Sequence, residues 1–169
     1  MADQNLPEYW LSGRIIGIPD ILQPVAHAIL QARREVEQAL ASFPATALWE
    51  QPNGVASVGF HLRHLPGVLD RLFTYARGEQ LNEQQLSYLK QEAIEDNSVT
   101  TVELLKRFSE QVERSIKQLQ ETDPADLTKA RGVGRKQVPS TVIGLLFHAA
   151  EHTMRHTGQL LVTARMLES

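Results

Sequence analysis

Apolar residues recur every three or four positions in four long stretches of the chain, which is the spacing of one face of an α-helix. Asp20 and Ser140 are suitable N-caps for the first and last stretches, and Pro44 and Gly78 are suitable ends for the first two. Pro66 lies inside the second stretch, where it is expected to kink or loosen the helix. The four predicted helices cover about residues 20–43, 57–77, 101–121 and 140–167.

The segments between these stretches are shorter and more polar. Residues 82–95 predict a short polar helix, whereas residues 1–19 and 44–56 are irregular and rich in Pro and Gly. Residues 125–138 are strand-like or loop-rich. The pattern therefore predicts an all-α protein, a four-helix bundle with a short extra helix between the second and third long helices. Residues 1–169 are expected to form a single domain.

The last predicted helix is unusually apolar. Between Pro139 and Leu167 the charged residues are Glu151, Arg155 and Arg165. A helix that is apolar on most of its faces lies either in the centre of a bundle or in a subunit interface. A homodimer is therefore one expectation from this segment.

The composition excludes several classes of protein. The chain has 169 residues, a net charge of −3, six His and no Cys. Without Cys there is no disulfide scaffold, thiolate zinc site or protein thiol nucleophile. The start lacks a signal-peptide pattern, and the longest uncharged stretch, residues 137–150, is too short to span a bilayer. We expect a cytoplasmic protein that binds neither membrane nor nucleic acid.

A Gly-x-Gly lies among basic residues at 131–136, Arg-Gly-Val-Gly-Arg-Lys. The spacing matches neither phosphate-binding loop, since both the Gly-Lys-Ser/Thr and the third Gly are missing. A weaker hypothesis is nucleic-acid binding through Arg131, Arg135 and Lys136. In an acidic chain, three basic residues on one segment favour a solvated hairpin or surface turn.

The histidines form two groups. His148, His152 and His156 lie within nine residues, and positions four apart share a helix face. His61 and His64 form a second group on another predicted helix. Across a bundle core, the two groups could bind one divalent metal ion. The alternative is that they are core or surface histidines with ordinary hydrogen bonds.

The residues around the last group refine this hypothesis. Thr153 follows His152, so the His-Glu-x-x-His pattern of metalloproteases is absent. Glu151 is expected to be a helix charge, and the alternative is a carboxylate that supports a metal-binding histidine. Gln159 shares the face of the histidines and could orient a ligand or contact a substrate, and the alternative is a core amide with ordinary hydrogen bonds. Gly158 costs helix stability, which predicts close helix packing at that level.

Two segments resemble a known family. Residues 151–159, Glu-His-Thr-Met-Arg-His-Thr-Gly-Gln, resemble the Glu-His-x-x-x-His-x-Gly-Gln signature of the DinB-like superfamily. Residues 58–65, Val-Gly-Phe-His-Leu-Arg-His-Leu, resemble the segment of its second helix that ends in His-Leu. The order and spacing match from about residue 20 to 167.

The resemblance implies a four-helix bundle of the up-down-down-up type with a three-His site for one divalent ion, Zn, Ni or Fe. Carried over by position, His64, His152 and His156 are the ligands. His61 and His148 then become neighbours in the pocket, together with Gln159 and Glu151. His61 could replace His64, because a step of three residues moves only a little around a helix.

The resemblance also suggests two classes of function. Some relatives are thiol transferases or isomerases that use bacillithiol, mycothiol or glutathione, and many have no known activity. The first hypothesis is therefore a metal-dependent S-transferase or hydrolase that acts on a small molecule. Since the chain has no Cys, a low-molecular-weight thiol would have to supply the sulfur. The second is a non-enzymatic metal-binding bundle that acts as a homodimeric stress or interaction protein.

Overall fold

The computed structural model describes residues 6–168, which form five α-helices and one β-hairpin. Residues 1–5 of the predicted irregular N-terminal segment lie outside this range. The elements are α1 (Gln23–Ala39), α2 (Val58–Ala76), α3 (Glu83–Gln91), α4 (Thr101–Glu121), β1 (Ala130–Val133), β2 (Val138–Thr141) and α5 (Val142–Glu168). The four long helices form the bundle, and α3 is the predicted short helix between the second and third of them.

Helices α2 and α5 run antiparallel and form the most extensive packing in the described chain. His61 contacts His156, whereas His64, further along α2, contacts His152, which comes earlier in α5. Because of this reversal, the start of α2 lies beside the second half of α5.

Helix α4 runs parallel to α2 and antiparallel to α1. Gln118 donates to the carbonyl of Phe73 near the end of α2, and Arg107 lines a cleft with Pro66 nearer its middle. On the other side, Arg33 of α1 donates to Ser109 at 3.5 Å, while Gln120 reaches back to the segment before α1. The directions of the four long helices are therefore up, down, down and up, as predicted.

The start of α1 differs from the prediction. Asp20 is not its N-cap, because Asp20–Leu22 form a 3-10 turn after Pro19 and α1 begins at Gln23. The buried side-chain amide of Gln23 instead holds the turn in place. Its Oε1 accepts from the N–H of Ile15, and its Nε2 donates to the carbonyl of Ile15. A capping pattern in the sequence could not reveal these hydrogen bonds between Gln23 and Ile15, eight residues earlier.

Helix α2 begins where the sequence predicts. The Ser57 hydroxyl accepts from the N–H of Phe60 at 3.1 Å, and α2 continues through Pro66 to Ala76. Gly78 follows with a φ of 83°, a left-handed conformation that favours glycine and ends the helix.

Residues 130–141 form an antiparallel hairpin, which confirms the turn interpretation of the basic Gly-x-Gly segment. Ser140 is therefore not the N-cap of the last helix, because it lies in β2 opposite Arg131. The next hydroxyl takes that role: Thr141 Oγ1 accepts from the N–H of Gly144 at 3.1 Å. Strand pairing moved the start of the helix by two residues.

The core lies between the four long helices, and the hairpin packs at one end. The largest side chains that are almost completely buried come from all of these helices and the turn before α1: Leu22, Ile29, Leu62, Leu65, Leu69, Phe73, Leu104, Phe108, Leu119, Leu146 and Leu160. Within residues 6–168, no helix combines the length and the apolar character needed to cross a membrane.

Candidate metal centre

Three histidines meet between α2 and α5. Nε2 of His64 lies 3.0 Å from Nε2 of His152, and the ring centroid of His156 lies 4.3 Å from that of His64 and 4.6 Å from that of His152. Each of the three offers a ring nitrogen, and these atoms lie within 4.8 Å of one another. His64, His152 and His156 could therefore hold a metal ion, and they are the same three residues that the sequence motifs indicate.

A buried carboxylate orients His64. Glu92, in the segment after α3, accepts from Nδ1 of His64 at 2.8 Å, and the Glu92 side chain is only 4% exposed. With its proton on Nδ1, His64 presents the lone pair of Nε2 to the other histidines. A carboxylate behind an imidazole is the usual support of a metal-binding histidine, and this support distinguishes His64 from His61.

The position of Glu92 depends on α2. Arg71, also buried, donates to both carboxylate oxygens of Glu92, so the negative charge is balanced inside the protein. Gly67 makes room for this pair, because a Cβ there would lie 2.1 Å from Oε1 of Glu92 and 2.8 Å from a nitrogen of Arg71. Sequence reasoning missed Glu92, since it lies in a polar segment with many carboxylates and no periodic pattern distinguishes it.

His61 supports His156 rather than meeting His64. Its Nδ1 lies 3.1 Å from Nδ1 of His156, and the whole residue is 2% exposed. Burial, with a smaller effect of the nearby His64, lowers the pKa of His61 to about 4. The hydrogen bond between the two rings needs one proton, and a neutral pair provides it.

Burial also favours the neutral form of His152 and His156, two of the three candidate ligands. Burial first, and the neighbouring histidines second, lower the pKa of His156 to about 3. Burial and the nearby His64 also lower the pKa of His152. Metal ions bind the neutral imidazole, so the donor set fits a divalent transition metal. Zn, Ni and Fe all accept such a set.

The surroundings of the rings differ. Phe60 stacks on His64, with ring centroids 5.3 Å apart and planes 14° apart, and covers one side of the cluster. Nδ1 of His152 is buried without a hydrogen-bond partner among the described residues. His152 thus lacks the support that Glu92 gives to His64.

The remaining predicted pocket residues lie on the outer side of α5. Nδ1 of His148 lies 2.6 Å from Glu151, and Arg155 donates to the other oxygen of that carboxylate at 2.6 Å. This pairing agrees with the interpretation of Glu151 as a helix charge. His148 and Glu151 also lie within 4.8 Å of a nitrogen of His152, so they flank the cluster without joining its other two members.

A cleft of about 540 Å³ adjoins the cluster at His61. Gln159 and Gly158 line it from α5, whereas His64, His152 and His156 are not among its walls. The expectation of close packing at Gly158 is wrong, because a Cβ there would meet nothing within 4 Å. Gly158 faces open space in the described protein.

Residues 28–160, which include all three candidate ligands, match the DinB superfamily. The chain belongs to the DinB superfamily. A crystal structure of a conserved protein from Enterococcus faecalis has a similar fold, with a TM-score of 0.71 and 17% sequence identity over 89% of this chain and 98% of the other. A search of curated proteins found no match.

Membership of the DinB superfamily confirms the resemblance and agrees with the four-helix bundle. The likeness to the Enterococcus protein shows the fold alone. The assignment of His64, His152 and His156 as metal ligands stays a prediction, and the local geometry supports it.

Removing the charge of Glu92 should weaken metal binding. We expect Glu92→Gln to lower the affinity for Zn²⁺ about 10- to 100-fold, because His64 loses the carboxylate that orients it. Competition with a chromophoric chelator measures the affinity, and circular dichroism verifies folding. Glu95→Gln, an exposed neighbour, is the control. Equal affinities of the two variants would contradict the role of Glu92.

Adding one methyl group at Gly67 should disturb the same arrangement. We expect Gly67→Ala to lower the free energy of unfolding by about 1–3 kcal/mol, because Glu92 and Arg71 must move away. Urea unfolding measures this change. Gly158→Ala is the matched control, and its open surroundings predict a stabilisation of about 0.5–1 kcal/mol. If Gly67→Ala has the same free energy of unfolding as the wild type, Glu92 and Arg71 are not tightly packed against residue 67.

The metal-free protein should lose stability in acid partly through His61. The pKa of His61 is about 4 in the folded protein and 6.5 without the fold, so between these values the unfolded chain binds more protons and falling pH favours unfolding. We expect a smaller loss of unfolding free energy between pH 7 and pH 4.5 in His61→Gln. Urea unfolding with a chelator present tests this, with His27→Gln as the control. If both variants lose as much unfolding free energy between pH 7 and pH 4.5 as the wild type does, groups other than His61 cause the pH dependence.

Proposed function

We propose that this DinB protein is a metal-dependent enzyme, either an S-transferase that uses a small thiol or a hydrolase, acting on a small molecule. The observation that supports it is the convergence of His64, His152 and His156 between α2 and α5. All three would hold one divalent ion, and Glu92 would orient the first of them. Proteins commonly leave a position open in such three-ligand sites for a substrate or water.

A Zn, Ni or Fe ion in this site would lower the pKa of a thiol or a water molecule, so that a nucleophile exists at neutral pH. Since the chain contains no Cys, the thiol would come from a separate molecule such as bacillithiol, mycothiol or glutathione. In the transfer, the sulfur bonds to the electrophilic carbon of the second substrate, and the leaving group departs with the proton of the thiol. In hydrolysis, water replaces the thiol.

The protein would position the substrate and shield the metal site from bulk water. His61 and Phe60 would cover the cluster on the side of α2, and the cleft would provide space for a molecule next to His61, which contacts the candidate ligand His156. The low pKa values of His61 and His156 keep these rings uncharged, so they do not repel a cation.

The second candidate function is a non-enzymatic metal-binding bundle that forms a homodimer and acts as a stress or interaction protein. It is favoured by apolar residues on the outer side of α5, where Phe147 is 64% exposed and Val162 is 59% exposed. A second copy would bury such a surface.

Elemental analysis of untagged protein tests the metal site. We expect about one divalent ion per chain, a loss of most of this metal in His152→Ala, and retention in His27→Ala. His27 is the control because it lies on α1 and contacts the carbonyl of Gly13 at 2.9 Å. Unchanged metal in His152→Ala would refute the ligand assignment.

Activity separates the two candidates. We expect consumption of an aryl halide with one of the three thiols, or of an ester in water, that stops with a chelator and returns with added metal. A metal-loaded protein that turns over neither substrate, and that sediments as a dimer, would favour the non-enzymatic function.

A further inference from the structure

The cleft beside His61 has mainly apolar walls. It lies between the beginning of α2 with its preceding loop and the second half of α5. Val55, Ala56 and Val162 contribute hydrocarbon surface, and two of them are well exposed, at 43% for Val55 and 59% for Val162. A volume of about 540 Å³ lies in the range of clefts that bind small molecules.

Gly158 keeps this cleft open. It lies in the middle of α5, where glycine costs helix stability, and no neighbouring atom within 4 Å requires the absence of a side chain. Packing inside the described chain therefore does not explain this glycine. Its position in the cleft wall does, because any larger side chain at residue 158 would occupy the space.

Two deeply buried polar residues line the cleft, His61 and Thr163, and the Thr163 hydroxyl donates to the carbonyl of Ala56 at 3.3 Å. His61 lines the cleft although the residue is 98% buried, and its Nδ1 is engaged with His156. Nε2 is then the ring atom through which His61 can bond an occupant. A polar group of the occupant at this point would lie next to the histidine cluster.

The charge in the wall of the cleft is balanced. Arg155 is the one charged residue among the described residues that line it, and it donates to Glu151 at 2.6 Å. The cleft therefore matches an uncharged occupant better than an anion, which would have to compete with Glu151.

We propose that this cleft binds an uncharged small molecule with a mainly apolar, aromatic-sized body and one hydrogen-bonding group directed at His61. The role of this molecule as the electrophilic substrate rests on the proposed function. Its binding in the cleft does not, because the walls are formed without any of the three candidate metal ligands.

Fluorescence titration with N-phenylnaphthylamine, an uncharged apolar probe, tests the proposal. We expect saturable binding to the wild-type protein and binding weaker by about tenfold or more in Gly158→Leu, whose side chain fills the cleft. Val162→Asp should also weaken it, because it places a charge in the apolar wall. Lys106→Leu on the exposed side of α4 adds the same side chain elsewhere and should bind like the wild type.

The Gly158→Leu protein should fold, since leucine favours a helix and a Cβ at this position meets nothing. We expect a melting temperature at least as high as that of the wild type and the same metal content. Absence of saturable binding to the wild type would overturn the proposal, as would equal binding to Gly158→Leu or an equal loss in Lys106→Leu.

The two proposals can fail separately. A protein that binds no metal but holds the probe in a Gly158-dependent manner refutes the metal enzyme and keeps the cleft. A metal-loaded, active protein whose turnover and probe binding are unchanged by Gly158→Leu refutes the cleft and keeps the enzyme.

Discussion

The hydrogen bond from Nδ1 of His64 to the buried carboxylate of Glu92 connects the candidate site to the packing of the bundle. A carboxylate in the interior is costly unless its charge is balanced, and Arg71, about two turns after His64 on α2, provides this balance. The arrangement requires a close approach between the segment after α3 and the backbone of α2 at Gly67. The orientation of His64 therefore depends on Glu92, Arg71 and Gly67, none of which is a candidate metal ligand.

The same segment is held by a second arginine on α2. Arg63 is buried, donates to the carbonyls of Gln91 and Ile94 at 3.0 and 2.8 Å, and bonds Asp96 at 2.8 Å. These bonds satisfy carbonyls on both sides of Glu92 and hold the backbone of this segment against α2. Two buried arginines thus fix a loop whose sequence is polar and unremarkable in pattern.

A division of tasks follows for the four histidines between α2 and α5. His64 has a carboxylate behind it, whereas His61 has His156 as its partner, so the two neighbours on α2 are not equivalent. Burial keeps His61, His152 and His156 uncharged, which suits cation binding and an apolar cleft alike. If both proposals hold, an uncharged molecule and a cation lie close together at this site.

Sequence patterns predict the helical bundle, the positions of the long helices to within a few residues, the turn at residues 131–136 and the group of histidines. These features depend on local periodicity, breakers and spacing, which a single helix or turn already contains. The sequence could not place the starts of α1 and α5, because both depend on contacts outside the helix itself: the amide of Gln23 bonds Ile15, eight residues earlier, and Ser140 pairs with Arg131 across the hairpin.

The surroundings of the histidines, in contrast, follow from the packing of the helices. A step of three residues separates His61 from His64, and helix geometry lets either reach across, so their partners in the fold distinguish them: Glu92 for His64 and His156 for His61. Likewise, glycine costs a helix the same stability whether it faces a packed neighbour or a cleft, so its residue type could not reveal that Gly158 is open. The partner of each histidine and the open space at Gly158 both depend on which other chain segments lie beside the helix, and the sequence pattern of one helix does not contain this.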